Sequence, residues 1–269
     1  MVEAFTKAKL MAHFESAIAT SQGARRYQED AAAVWSDLHA QPTMLAVLAD
    51  GMGGHAGGAI ASRLASDTFI AKFTDTSGDT AHRLTSALET ANSAIARAVE
   101  KDPGLSGMGS TIVAAAFGRS GLEWVSVGDS PLYLYSLGEV ALLNEDHSLA
   151  PALDQMAAEG TITVDAARND PRRHMLRSAV TGEDLELVDL SSKPLTLEPG
   201  DYVILASDGI HTIGEAEIAR IVLATASKGP QAVADELVNA VLEVGELHQD
   251  NITVIAVRRS PATAGDDAA

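Results

Sequence analysis

Four apolar stretches of this chain each carry an aspartate at one end. They are MLAVLA before Asp50, WVSVG before Asp129, YVILAS before Asp208, and ITVIAV after Asp250-Asn251. Short runs rich in β-branched and aromatic residues read as strands. A single aspartate beside a strand is an ordinary turn residue. Four of them constrain the fold far more. Strand-end carboxylates meet only if their sheets share an edge, and once together they repel unless a cation lies between them. A fifth acidic point is Glu29-Asp30, in GARRYQEDAAAVW.

The first of these aspartates stands in LADGMGGHAGG, residues 48–58, where five glycines surround Asp50. Glycine is costly in conformational entropy, so a cluster marks a sharp turn or a close approach of backbone to a ligand. Asp-Gly can be a hairpin turn. Gly51 to Ala56 also fits the G-x-G-x-x-A of a dinucleotide loop. That loop offers bare N–H groups to a pyrophosphate, and Asp50 would repel it. It also leaves Asp129, Asp208 and Asp250 without a purpose. A metal loop accounts for all four. Oxygen ligands without cysteine or paired histidine select Mg²⁺ or Mn²⁺ over Zn²⁺. Gly51, lacking a side chain, can present its carbonyl to the same centre.

Composition narrows the function further. The chain has 269 residues and no cysteine, which excludes disulfides, thiolate metal sites and cysteine nucleophiles. There are 37 acidic residues against 19 basic, a formal charge of −18. Such a surface repels phosphate backbones, so no nucleic-acid partner is expected. No uncharged stretch approaches the roughly 20 residues of a membrane span. The opening MVEAFTKAKLMAHFES is broken by charges and lacks a signal-peptide core. The expectation is a cytoplasmic protein with no membrane partner.

Residues 1–12 read as an N-terminal extension, 13–259 as one domain, and 260–269, small and polar, as a flexible tail. Strands are expected at Met44–Ala49, Thr111–Phe117, Glu123–Val127, Leu132–Tyr135, Tyr202–Ala206 and Ile252–Val257. Apolar residues at helical spacing predict helices over Ala81–Lys101 and Gln231–Val244, and another follows the glycine loop from Ala59 to about Phe73. WVSVGDSPLYLY reads as a hairpin: strand, turn, strand. Hairpins with paired helices point to an α+β architecture. No apolar helix is left over, so a monomer is expected.

These residues also carry a family resemblance. The chain resembles the metal-dependent protein serine/threonine phosphatases, the protein phosphatase 2C family, in their compact bacterial form. Arg25 to Asp30 resembles R-x-x-N-E-D, with Gln28 where Asn is usual. ADGMGGHAGG resembles the D-G-M-G-G-H loop, and Gly107 to Thr111 resembles G-(M/T)-G-(S/T)-T. Gly128-Asp129-Ser130 resembles G-D-S-R, with Pro131 in place of Arg. Asp146-His147-Ser148, Asp170 to His174, Ala206 to Gly209 and Asp250-Asn251 follow in family order.

The resemblance implies a four-layer α-β-β-α sandwich, two central antiparallel sheets between pairs of helices, with metals at one end. It implies two Mg²⁺ or Mn²⁺ ions flanking a water whose lowered pKa yields the nucleophile that attacks phosphorus. Asp50 is expected to bridge both ions, Asp208 and Asp250 to complete one site, and the Gly51 carbonyl to serve the other. Glu29 is expected to bind through water with Asp30 and Asn251 in support, and Asp129 to hold a third, weaker ion with Asp208. Arg25 is the expected phosphate clamp, since its fork suits two phosphate oxygens; Arg26, adjacent, should face away. Eukaryotic members carry a histidine at the position of Met52 as leaving-group acid; here a metal-bound water is the expected donor. His55 is expected to be structural, and His147 and His174 to be loop residues rather than catalysts. Leu149–Gly182 resembles the flap that influences substrate choice. The implied partners are phosphorylated proteins and a cognate Ser/Thr kinase. A rival reading is a weakly active or inactive regulatory domain of the same fold. The complete set of acidic positions argues for catalysis.

Overall fold

The structure is a computed structural model, and it describes residues 14–37, 43–53, 57–118 and 120–260. The segments expected to form the N-terminal extension and most of the C-terminal tail lie outside the described residues, as does His55. Ser260, assigned to the tail, is buried, and its hydroxyl donates to Glu15 Oε1 at 3.2 Å.

In chain order the described strands are β1 (Phe14–Ser21), β2 (Asp30–Asp37), β3 (Thr43–Met52), β4 (Gly109–Ser110), β5 (Ile112–Gly118), β6 (Gly121–Val127), β7 (Leu132–Ser136), β8 (Glu139–Leu142), β9 (Asp189–Leu190), β10 (Tyr202–Ala206) and β11 (Ile252–Arg259). The helices are α1 (Gly57–Asp75), α2 (Thr80–Lys101), α3 (Ala150–Ala158), α4 (Val164–Arg168), α5 (Glu215–Thr225) and α6 (Pro230–Val244). Asp79 caps α2 by accepting from the His82 N–H at 2.8 Å. Pro230 opens α6, where its missing N–H costs nothing.

One sheet runs β1-β11-β10-β7-β8 and the other β2-β3-β5-β6-β9, with β4 on β3; all pairs are antiparallel. Side chains alternate between faces along a strand. On β3, Leu45 and Val47 face α1 and α2, packing with Phe69, Phe73, Leu84 and Leu88. Ala46 and Leu48 face the opposite sheet, against Val203, Leu205 and Ile255. On β10, Tyr202 and Ile204 face α5 and α6, with Ile221, Val233 and Leu237. Three apolar layers thus separate four layers of structure. Both faces of the central strands are covered, so these strands read as unbroken apolar runs rather than alternating ones.

The hairpin expected in WVSVGDSPLYLY is not formed. β6 pairs with β5 and β9, and β7 pairs with β10 and β8. Gly128 to Pro131 instead carries the chain from one sheet to the other. Gly128 takes φ +109°, and a Cβ there would stand 2.6 Å from the Thr111 side chain. Two runs that are apolar on both faces suit central strands of separate sheets as well as a hairpin, and periodicity does not distinguish them. The crossover puts Asp129 at the edge the two sheets share.

Candidate metal centre

Both sheets deliver acidic groups to the same end of the sandwich. Asp50 lies near the end of β3, directly across from Asp30 at the start of β2. Asp208 begins the tight turn after β10, Asp250 lies just before β11, and Asp129 sits on the crossover. Asp50, Asp129, Asp208, Asp250, Glu29 and Arg25 all line one cleft of about 630 Å³. The cleft's other wall includes His174 to Ala179, within the segment expected to form the flap. The expected site residues, drawn from five separate stretches of chain, are therefore brought together.

The electrostatics of this cleft are those of crowded carboxylates. Burial pushes the Asp50 carboxyl well up, and Asp30, Asp208, Asp129 and Asp250 push it further. Asp208 is raised by burial and then by Asp250, and Asp50 lies within its hydrogen-bonding reach. Asp129 is raised to about 7 by burial, with Asp208 as the strongest charged neighbour. Asp30 is raised to about 6, again mainly by burial. Burial also raises Glu29, against the pull of Arg25.

Three buried carboxylate oxygens, Glu29 Oε1, Asp30 Oδ1 and Asp208 Oδ1, have no hydrogen-bond partner. Such groups are costly unless something satisfies them. All are hard oxygen donors, so the residues present fit Mg²⁺ or Mn²⁺. Among the described residues no three Asp, Glu or His side chains yet converge tightly enough to cage an ion. Asp250 is engaged by the Arg25 guanidinium. Arg25, the expected phosphate clamp, is thus ion-paired, with its side chain half exposed at the cleft mouth.

The supports are visible in detail. Asn251 Oδ1 accepts from the Glu29 N–H at 2.8 Å, and its Nδ2 donates to the carbonyls of Gln22 (2.8 Å) and Tyr27 (3.0 Å). One buried amide thereby staples the loop bearing Arg25 and Glu29. Asp30 Oδ2 accepts from the Ser207 hydroxyl at 2.9 Å, and Ser207 Oγ accepts from the Thr253 N–H at 2.9 Å. Gln28, which departs from the family pattern, donates to Thr20 Oγ1 at 2.7 Å and accepts from the Asp30 N–H at 3.0 Å. Pro131, a second departure, accepts from the Ala206 N–H at 3.1 Å.

The motif reading missed two residues. Thr111 Oγ1 accepts from the Asp50 N–H at 3.1 Å and lies 2.8 Å from Ser130 Oγ. This hydroxyl pair joins the Asp50 strand to the Asp129 crossover. Their motifs signal them, but their spacing does not say that they touch. His147 is buried, burial lowers its pKa, and its Nδ1 accepts from the Gly128 N–H at 3.3 Å. It lies in a loop, as expected. His211 lines a smaller cavity of about 320 Å³ beside Asp208, together with His174 and His248.

Comparison with known proteins agrees with this geometry. Residues 21–242 match the family model "Protein phosphatase 2C". The serine/threonine phosphatase Stp of Listeria innocua is 31% identical over 254 residues, covering 91% of this chain and 95% of that protein. The chain belongs to the protein phosphatase 2C family. Mycobacterium tuberculosis PstP, a serine/threonine protein phosphatase, is 38% identical over 171 residues, 62% of this chain. That match takes in only 31% of the length of PstP. Among solved structures, the catalytic domain of PstP in complex with two manganese ions superposes with a TM-score of 0.74 at 30% identity. The alignment covers 93% of this phosphatase 2C family chain and 99% of that one.

Proposed function

We propose that this protein is a metal-dependent protein serine/threonine phosphatase that hydrolyses phosphoserine and phosphothreonine with two bound Mn²⁺ or Mg²⁺ ions. The observation that carries the reading is the gathering of carboxylates from both sheets in one cleft, with buried oxygens that have no partner. Two manganese ions in the PstP catalytic domain support it. When bound, the ions would supply Lewis acidity and lower the pKa of a water, readying it as the nucleophile toward phosphorus.

The chain's own groups do the rest. Asp50 would contribute to both ion sites, Asp208 and Asp250 would complete one, and the Gly51 carbonyl would serve the other, with Glu29 acting through water. Asp129, with Asp208, would hold a third, weaker ion. Arg25 clamps the phosphate, for which it must exchange Asp250 for the substrate's oxygens. Asp30, tied to Ser207, and Asn251, tied to the Glu29 loop, keep these donors in place. The segment beside this wall, in which Arg173 is anchored to Asp154 at 2.8 Å, influences substrate choice. Its substrates are phosphoproteins made by a Ser/Thr kinase, which it opposes.

The test is hydrolysis of a phosphothreonine peptide by metal-stripped protein, alone and with Mn²⁺, beside Asp208→Asn. Activity that requires Mn²⁺ and disappears in Asp208→Asn is expected. A folded wild type inactive with both Mn²⁺ and Mg²⁺ would sink the reading and favour a regulatory domain of the same fold.

A further inference from the structure

The Gly51 carbonyl, assigned to the second ion, and the Glu29 carboxylate, acting through water, meet over a residue that has no side chain. Gly58 lies in the first turn of α1. A Cβ placed on it would overlap Glu29 Oε1 and lie 2.8 Å from the Gly51 carbonyl oxygen and 2.9 Å from Glu29 Cδ. The relation is reciprocal. A Cβ on Gly51 would overlap the Gly58 carbonyl oxygen and lie 2.6 Å from the Glu29 carbonyl oxygen. Real Cβ atoms essentially never come within 3.0 Å of such neighbours. Each bare α-carbon therefore packs against the other residue's carbonyl, and the Glu29 carboxylate is pressed against Gly58. Its Oε1 is buried and has no hydrogen-bond partner. Gly57, one residue earlier in the same turn, is different, because a Cβ there would meet only Met108 Cβ at 3.4 Å.

We propose that Gly58 is a positioning residue for the second cation. Its missing side chain sets the approach of the Glu29 carboxylate to the Gly51 carbonyl, and so sets that ion's occupancy. The first ion, on Asp208 and Asp250, does not depend on it. The inference rests on the two-cation reading above.

Gly58 holds no left-handed φ, and alanine is the better helix former. Gly58→Ala therefore tests space rather than backbone strain, and Gly57→Ala is its matched control. The experiment is calorimetric titration of metal-stripped full chain with Mn²⁺. The first and second ions are each expected to bind Gly57→Ala with the affinity they show for wild type. Gly58→Ala is expected to bind one ion normally and the other at least tenfold more weakly. Glu29→Asp withdraws the carboxylate without adding a Cβ, and is expected to weaken that same ion. Adding Gly58→Ala to Glu29→Asp should then cost less than it does alone, because the two residues act through one contact. Retention of both affinities in Gly58→Ala overturns the inference. So does equal loss in Gly57→Ala, or a Glu29→Asp that spares the second ion. A wild type that binds no Mn²⁺ overturns the two-cation reading instead, so the two failures are told apart.

Discussion

Asn251 and Thr111 show how single residues hold this centre without supplying a charge. Asn251 spends three of its hydrogen bonds on the loop of Glu29 and Arg25. Partners of this kind orient the groups that touch a metal, and losing one typically costs about 10–100-fold in affinity or activity. Asn251→Ala is expected to lower kcat/KM and Mn²⁺ affinity within that range, as read by steady-state kinetics and calorimetry. Thr111→Val removes the acceptor of the Asp50 N–H and the partner of Ser130. Each buried group left unpaired costs about 1–3 kcal/mol. Urea unfolding should show a loss of that order, with the metal-free protein affected as well. At this scale the sequence was largely legible: Asp50, Asp129, Asp208 and Asp250 stood out as repeated strand-end acids. The Thr111–Ser130 contact was not, because nineteen positions of chain separate the two hydroxyls.

Elements differ in what they owe to the metal. α6 buries Val233, Leu237 and Val241 against the β1-β11-β10 side and carries no group of the acidic cleft. Leu237→Ala is expected to cost about 2–5 kcal/mol of stability, the usual range for a fully buried leucine. Both Mn²⁺ affinities should survive it. A variant that loses stability and metal together would show that the sandwich and its mouth are one cooperative unit at the level of single elements. The strands of long apolar runs were legible because both faces are buried; β10 matches its expected bounds, Tyr202–Ala206. β1 and β2 were not legible, since FESAIATS and DAAAVWSD mix small and polar residues. They become strands through pairing with β11 and β3. α5 did carry a readable signal in Ile218, Ile221, Val222 and Thr225 at helical spacing. The supposed hairpin at Gly128–Pro131 failed for a different reason. Local pattern specifies strands but not which sheet each one joins.

The whole molecule concentrates unfavourable charge at one end of a well-packed sandwich. Asp129 moves from the ordinary 3.8 to about 7, and Asp30 to about 6. Carboxyls raised in this way bind protons more tightly when folded than when unfolded. The stability they give is fully present below pH 3.8 and is lost as pH rises toward 7. Cations bind the deprotonated set. The rise in melting temperature on adding Mn²⁺ is therefore expected to grow from about pH 4 to pH 7, where each pKa unit is worth about 1.4 kcal/mol. Thermal melts with and without Mn²⁺ across this range measure it. A gain that is flat with pH would disconnect the metal from these carboxyls.

The chain alone determined the chemistry on offer: oxygen donors without thiols, a strong negative balance, and strand-end acids in an order that resembles one family. Residue types and their local spacing are written directly in the sequence. Only the tertiary structure decided that β6 and β7 part into different sheets, that Arg25 lies against Asp250, and that Gly51 and Gly58 each pack against the other's carbonyl. Those are contacts between distant segments, and they are set by how two covered sheets stack rather than by anything a short stretch of chain can encode.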